Sequence, residues 1–216
     1  MAARDIVDRI SADPRIRRRE RPTPRLILSV VLSLAVVAGL SVGLLRSPDI
    51  LSIASGGQHD HGFILNFAFV VSVAACALVV VRDLSVPARR VSLPKSVLAL
   101  PFVSMAVLAG HDLMGSSLHV TSQHVSHASW LSCVWQTISL AIPAFAVLTL
   151  GVRHLAPVDL RRAGAYIGML AGALGAMGHC WHASAAPFVL DALGYTAAIA
   201  AMMVAGMLFG PRLLRW

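Results

Sequence analysis

Long apolar segments alternate with short polar segments along most of this 216-residue chain. Each apolar segment has about the 20 residues that an α-helix needs to cross the hydrocarbon core of a bilayer. The segments cover residues 26–45, 63–81, 96–113, 130–152, 163–181 and 188–209. The pattern predicts an all-α, polytopic membrane protein with about six transmembrane helices.

The amino-acid composition agrees with this prediction. Hydrophobic residues make up 57% of the chain, charged residues only 13%, and the mean hydropathy is +0.75. The charged share is roughly half that of a soluble domain, which would need more polar surface to cover its core. No secretory signal is expected, because the first apolar segment is longer than a signal-peptide core and no clear cleavage site follows it. We divide the chain into a polar tail, residues 1–25, and a transmembrane domain, residues 26–216.

The distribution of positive charge predicts the orientation in the membrane. The formal net charge is +8, and every lysine and arginine except Arg46 lies in the tail, in the loops after the second and fourth segments, or at the C-terminal end. Such residues gather on the cytoplasmic side of membrane proteins. We therefore expect both termini in the cytoplasm. The same distribution argues against direct binding of nucleic acid.

Cysteine and histidine residues with possible metal-binding or redox chemistry lie at the segment ends away from the basic residues. Cys133 lies about one turn inside the fourth segment, and Cys180 lies at a similar depth in the antiparallel fifth, so the two thiols could be near each other. Histidines accompany them at positions His111, His124, His127, His179 and His182. Thiolate and imidazole suit soft metal ions such as zinc, copper or cadmium.

Other interpretations of these residues stay open. Two cysteines that face an oxidising compartment could form a reversible disulfide instead of binding metal. Free cysteines in helices are often only small packing residues, which is our expectation for Cys76, and loop histidines are often only solvated. The chain has only three cysteines, too few for a disulfide framework.

The tail carries a short apolar face. Ile6, Val7 and Ile10 fall on one side of a predicted helix, which ends at Asp13 because the next residue is proline. So short a helix is marginal in water and gains from a protein partner. The arginines that follow suit the anionic lipids of the inner leaflet.

The remaining patterns bear on packing and on catalysis. Gly164, Gly168 and Gly172 form a small-residue face, which predicts close helix packing within the chain or, alternatively, a homo-oligomer contact.

Charged residues within the segments are limited to Asp112 and Asp191 near the ends, which argues against transport. No HExxH, CxxC, GxSxG or phosphate-loop motif is present, so we predict no enzymatic activity.

Several motifs together resemble one known family. They are the tail from Asp5 to Asp13, Arg82-Asp83-Leu84, Cys133 to Pro143, Arg153 to Pro157, the glycine face, His179-Cys180, Gly194-Tyr195-Thr196 and Gly210 to Trp216. In these residues the chain resembles the NrsF-like membrane anti-sigma factors, negative regulators of an extracytoplasmic-function sigma factor F. It departs from that pattern at Trp181-His182, where the family has proline and acidic residues, and at Gly194, where the family has tryptophan.

The resemblance implies a function. It implies six transmembrane helices in the inner membrane of a bacterial cell, a cytoplasmic N-terminal segment that holds the sigma factor, and two cysteines, here Cys133 and Cys180, that sense metal or oxidative stress. We therefore expect a membrane-bound anti-sigma factor that releases its partner on such a signal and needs no cofactor. The alternative is a small metal-handling membrane protein, either a transporter or a metal-dependent membrane enzyme, which would explain the histidines directly.

Overall fold

The computed structural model describes residues 22–44, 61–85, 94–115, 127–153, 159–181 and 188–213. Within these ranges the secondary structure is helical and contains no strand. The helices are α1 (Pro22–Leu44), α2 (His61–Leu84), α3 (Lys95–Gly115), α4 (His127–Arg153), α5 (Leu160–Cys180) and α6 (Phe188–Leu213). In the described part of the chain the prediction of an all-α protein with about six helices is confirmed, and the observed ends differ from the predicted ones by only a few residues.

Four of these helices, α1, α2, α4 and α6, are long and apolar enough to cross a membrane. In α3 the apolar stretch is shorter and covers Ser96–His111. Large apolar side chains such as Leu28, Leu100 and Trp135 are exposed on the outside of the bundle, where a membrane protein meets lipid tails. The helices therefore have the length and surface expected of a membrane protein.

Helix α5 lies at the centre of the bundle, although it is not among the four most apolar helices. It is buried on nearly every side and packs most extensively against α6, then against α4 and α2. Helix α1 packs mainly on α4, and α3 lies at the edge against α2 and α6. Glycine and alanine residues explain both properties of α5, because they add little hydropathy and let neighbouring helices approach closely.

A very close helix contact joins the start of α5 to the end of α6. A methyl group added at Gly164 would lie 2.8 Å from the Cα atom of Gly210 and closer still to the carbonyl oxygen of Gly206. One turn further along α5, Gly168 faces the backbone of Met202 and Met203 in the same way. We call this contact the glycine seam. The small-residue face predicted from the sequence thus packs against α6 of the same chain, and a homo-oligomer contact stays a prediction.

The opposite end of the bundle holds both predicted cysteines of interest. At this end α5 finishes and α4 and α6 begin, so Cys133, Cys180 and Gly194 come to one level. The start of α2 joins them through an edge contact between Phe67 and Trp181, whose ring centroids are 6.4 Å apart. We call this the cysteine end. Its position on the outer side of the membrane, and the cytoplasmic position of the termini, stay predictions.

Three predicted features lie outside the described residues. They are the apolar face formed by Ile6, Val7 and Ile10, and the loop histidines His124 and His182. The division into a sigma-binding tail and a transmembrane domain therefore also stays a prediction.

Candidate functional site

One face of α4 carries polar groups into the bundle. Cys133, Gln136, Thr137 and Leu140 follow the i, i+3, i+4, i+7 spacing that places side chains on one side of a helix. Cys133 and Thr137 are buried, and Gln136 is half-buried. The start of α4 therefore presents a thiol, an amide and a hydroxyl group to the neighbouring helices.

Helix α6 presents a matching face with the same spacing. Asp191, Gly194 and Tyr195 are buried, and the tyrosine side chain has no exposed surface. Asp191 lies in the first turn of α6, where the helix dipole favours a negative charge. Gly194 leaves room for the neighbouring thiol, because a methyl group at this position would lie only 2.8 Å from the Cys133 sulfur.

The end of α5 joins these two faces through a histidine. The His179 ring lies between Tyr195 of α6, at 3.1 Å from Nδ1 to the phenolic oxygen, and Gln136 of α4, at 2.9 Å from Nε2 to Oε1. The imidazole and phenol rings also meet edge to face, with centroids 5.7 Å apart. Because His179 is buried, these two bonds satisfy its ring nitrogens inside the bundle. They tie together three helices at the cysteine end.

Both thiols lie beside polar groups of α6. Cys133 lies near the Asp191 carboxyl group, and Cys180 lies near the Tyr195 hydroxyl group. The two thiols are free rather than joined in a disulfide, and each lies close enough to Asp191 to interact with it electrostatically. The structure thus brings the two predicted cysteines into one polar cluster.

We call this group the thiol cluster. It consists of Cys133, Gln136, Thr137, His179, Cys180, Asp191 and Tyr195. One member has unused hydrogen-bonding capacity, because the buried Thr137 hydroxyl lies beside the Cys133 thiol but makes no well-formed hydrogen bond with any described residue. A buried hydroxyl in this state costs free energy, so it would gain from a new partner.

The other predicted histidines are not drawn into the cluster. His111 is exposed on α3, and His127 begins α4 with a side chain that the structure does not describe. Across the described ranges, no group of three or more His, Cys, Asp or Glu side chains is arranged to hold a metal ion. The metal set predicted from the sequence therefore stays a prediction, and in this arrangement His179 is engaged in hydrogen bonds.

Sequence reasoning missed four members of the cluster, namely Gln136, Thr137, Asp191 and Tyr195. Two signals could have found them. Gln136 and Thr137 stand at i+3 and i+4 from Cys133, on the face that Cys133 itself defines. Asp191 is an acidic residue in an otherwise apolar segment, and such residues are functional candidates in membrane proteins. Tyr195 follows Asp191 by one turn.

The fold and the cluster define a class, a polytopic helical membrane protein with two free thiols and several polar side chains buried at one end of the bundle. Comparison with known proteins identifies the family within this class. The chain belongs to the NrsF family, negative regulator of sigma F, whose family model matches residues 10–216. The probable anti-sigma-F factor NrsF of Azospira oryzae is 31% identical over 168 residues, covering 74% of this chain and 78% of that protein. No solved structure matches the chain.

Family membership fixes the coarse function. The protein belongs to a family of regulators rather than catalysts, and the partner of such a regulator is a sigma factor. The predicted resemblance is therefore confirmed.

Proposed function

We propose that this protein is a membrane-bound anti-sigma factor that holds an extracytoplasmic-function sigma factor at the inner face of the membrane. Reaction of Cys133 and Cys180 with a soft metal ion or an oxidant releases the sigma factor. The main support is that the two thiols converge in one buried cluster where α4, α5 and α6 meet. A reaction at this point changes the contacts of three helices at once.

The signal must supply enough free energy to change the state of the bundle. A shift from mostly bound to mostly released sigma factor needs about 5 kcal/mol of differential affinity between the two states. A disulfide contributes typically ~2–4 kcal/mol, and thiolate–metal bonds contribute more than this in structural zinc sites. Either reaction can therefore supply free energy of the required order, provided that the new bond is more favourable in the released state than in the resting state.

The resting cluster explains how the two states would differ. With free thiols, Cys133 lies beside Asp191 and Cys180 beside Tyr195. A metal ion or a disulfide would draw the sulfur atoms toward each other and away from these two side chains. Both side chains belong to α6, so α6 is the helix that we expect to move. The predicted loop histidines His124, His127 and His182, together with His111, would strengthen a metal response if they reach the cysteine end.

The sigma factor binds, in this proposal, to the apolar face formed by Ile6, Val7 and Ile10. The support is the sequence pattern and the family, since an anti-sigma factor needs a segment that contacts its partner. The membrane domain would then serve to present or withdraw this segment.

A pull-down of the detergent-solubilised full chain tests the binding part of the proposal. Unmodified protein should retain a sigma factor. Ile10→Asp should retain at least tenfold less sigma factor, because the new charge falls within the apolar face. Ala12→Asp is the matched control, since it adds the same charge on the opposite face of the predicted helix and should retain the partner. Equal loss in both variants, or no sigma factor with the unmodified chain, would contradict the proposal.

A further inference from the structure

The glycine seam brings two arginine residues together at the end of the bundle opposite the cysteine end. A methyl group added at Gly210 would lie 3.2 Å from the carbonyl oxygen of Leu160 and closer still to the Cα atom of Gly164. Arg161 follows Leu160 directly, and Arg212 follows Gly210 by two residues. Because the backbones of α5 and α6 touch here, these two long side chains start from neighbouring points. We call them the arginine pair.

The charges of the arginine pair are exposed and have no counterion among the described residues. Both side chains are exposed, and neither guanidinium group forms an ion pair or a hydrogen bond within the described ranges. The neighbouring Arg162 differs, because its Nε atom lies 3.0 Å from the Asp159 carboxylate. The same carboxylate accepts a hydrogen bond from the backbone N–H of Arg162 at the start of α5. Asp159 is therefore engaged with Arg162, and the arginine pair is available to an external anion.

An apolar surface that leads up to the pair indicates what kind of anion fits. Leu208 and Phe209 stand four and three residues before Arg212, so the three side chains lie on one side of α6. Leu208 and Phe209 are both exposed, as is Leu213 beside Arg212. A free phosphate ion gains nothing from such a surface. A phospholipid matches both parts, because its phosphate suits guanidinium groups and its acyl chains suit the apolar side chains.

We propose that the arginine pair and the adjoining apolar surface of α6 form a binding site for an anionic phospholipid. The lipid phosphate binds between the guanidinium groups of Arg161 and Arg212, and an acyl chain packs along Leu208 and Phe209. This site is additional to the retention of a sigma factor, and it does not depend on the thiol cluster.

The general placement of arginines in membrane proteins is the competing explanation. Arginines gather on the cytoplasmic side, and the helix dipole favours a cation at the end of α6. Under this explanation, every exposed arginine at this end of the bundle attracts anionic lipid to the same extent. A defined site requires the arginine pair to matter more than an arginine elsewhere. Arg153 is such a residue, since it is exposed at the end of α4, where Gly151 contacts Ser29 of α1.

Native mass spectrometry of the detergent-solubilised full chain, titrated with phosphatidylglycerol, measures the affinity for the first bound lipid. We expect roughly fivefold weaker binding in Arg161→Gln and roughly thirtyfold weaker binding in Arg161→Gln/Arg212→Gln, from the usual contribution of each basic residue at a membrane surface. The matched control is Arg153→Gln, which removes the same charge at the same end of the bundle and should leave the affinity unchanged. Phosphatidylcholine with the same acyl chains should bind at least tenfold more weakly than phosphatidylglycerol.

Two results of this titration would overturn the inference. Equal weakening by Arg153→Gln and Arg161→Gln would indicate attraction by overall charge rather than a site. Displacement of phosphatidylglycerol by an equal concentration of inorganic phosphate would show that the acyl chains add nothing to binding. All three arginines are exposed, so the unfolding temperature in lipid-free detergent should be the same in every variant.

A sigma-factor pull-down with Arg161→Gln/Arg212→Gln separates this site from the proposed function. We expect the double variant to retain the sigma factor while it loses phosphatidylglycerol. Loss of the sigma factor with unchanged lipid affinity would assign the arginine pair to an acidic surface of the protein partner and overturn the inference. If the unmodified chain retains no sigma factor, the proposed function fails, and the lipid titration still decides whether the site exists.

Discussion

The two ends of the α5–α6 pair are held together in different ways. At the glycine seam, Gly164, Gly206 and Gly210 bring backbone atoms into direct contact. At the cysteine end, the same two helices meet through side chains, of which Tyr195 and His179 form the central hydrogen bond. Backbone contacts cannot be altered without moving a helix, whereas the side-chain contacts around a buried thiol change when the thiol reacts. The comparison indicates a helix pair that is fixed at one end and adjustable at the other.

The largest expected effect comes from breaking the fixed end. In Gly206→Ala the added methyl group meets the carbonyl oxygen of Gly164 and lies 3.1 Å from the Cα atom of Gly168. We expect a loss of about 3 kcal/mol in the free energy of unfolding, because a rigid backbone contact cannot relax as a side chain can. Thermal denaturation in detergent measures this loss.

Gly39→Ala is the matched control for the seam. It lies in α1 with no atom within 4 Å of the added methyl group, so stability should stay the same or rise slightly through the higher helix propensity of alanine. Equal destabilisation by the two changes would show that the seam is not a special contact.

A smaller effect is expected from removing the central ring of the adjustable end. His179→Ala leaves the Tyr195 hydroxyl and the Gln136 amide without their buried partner, which should cost about 2 kcal/mol. His111→Ala should cost almost nothing, because His111 is exposed on α3. The same denaturation assay compares the two variants. If His111→Ala were the more harmful change, the hydrogen-bonded cluster would not be what holds this end together.

The smallest effect is expected from a glycine at the adjustable end. In Gly194→Ala the methyl group meets the Cys133 sulfur rather than backbone, and a thiol can rotate away. We expect a cost of at most ~1 kcal/mol. A loss of stability as large as that of Gly206→Ala would remove the distinction between the two ends.

The sequence alone predicted the helices, the glycine face and the nearby cysteines on which this comparison depends. Apolar segments of membrane length predicted the six helices, and the four-residue spacing of Gly164, Gly168 and Gly172 predicted close packing. Equal depth in antiparallel segments predicted that Cys133 and Cys180 would come together, as they do in the thiol cluster. These features are local, or follow from the alternation of the segments across the membrane.

The central position of α5 and the partners of the thiols could not be read from the sequence. Hydropathy ranks α5 below the lipid-facing helices, because glycine and alanine add little to it, yet they are what allow burial on every side. The bond from His179 to Gln136 joins residues 43 positions apart in the chain. Such pairs depend on the rotation of each helix in the bundle, which a pattern of apolar residues fixes only approximately.

The most direct test of the account is the release of sigma factor from the immobilised, solubilised complex on addition of zinc, cadmium or a thiol oxidant. Unmodified protein and Cys76→Ser should release it, since Cys76 lies outside the thiol cluster. Cys133→Ser and Cys180→Ser should retain it under the same conditions. Release from these two variants at the same signal concentration as from unmodified protein would contradict the claim that the buried thiols control the sigma factor.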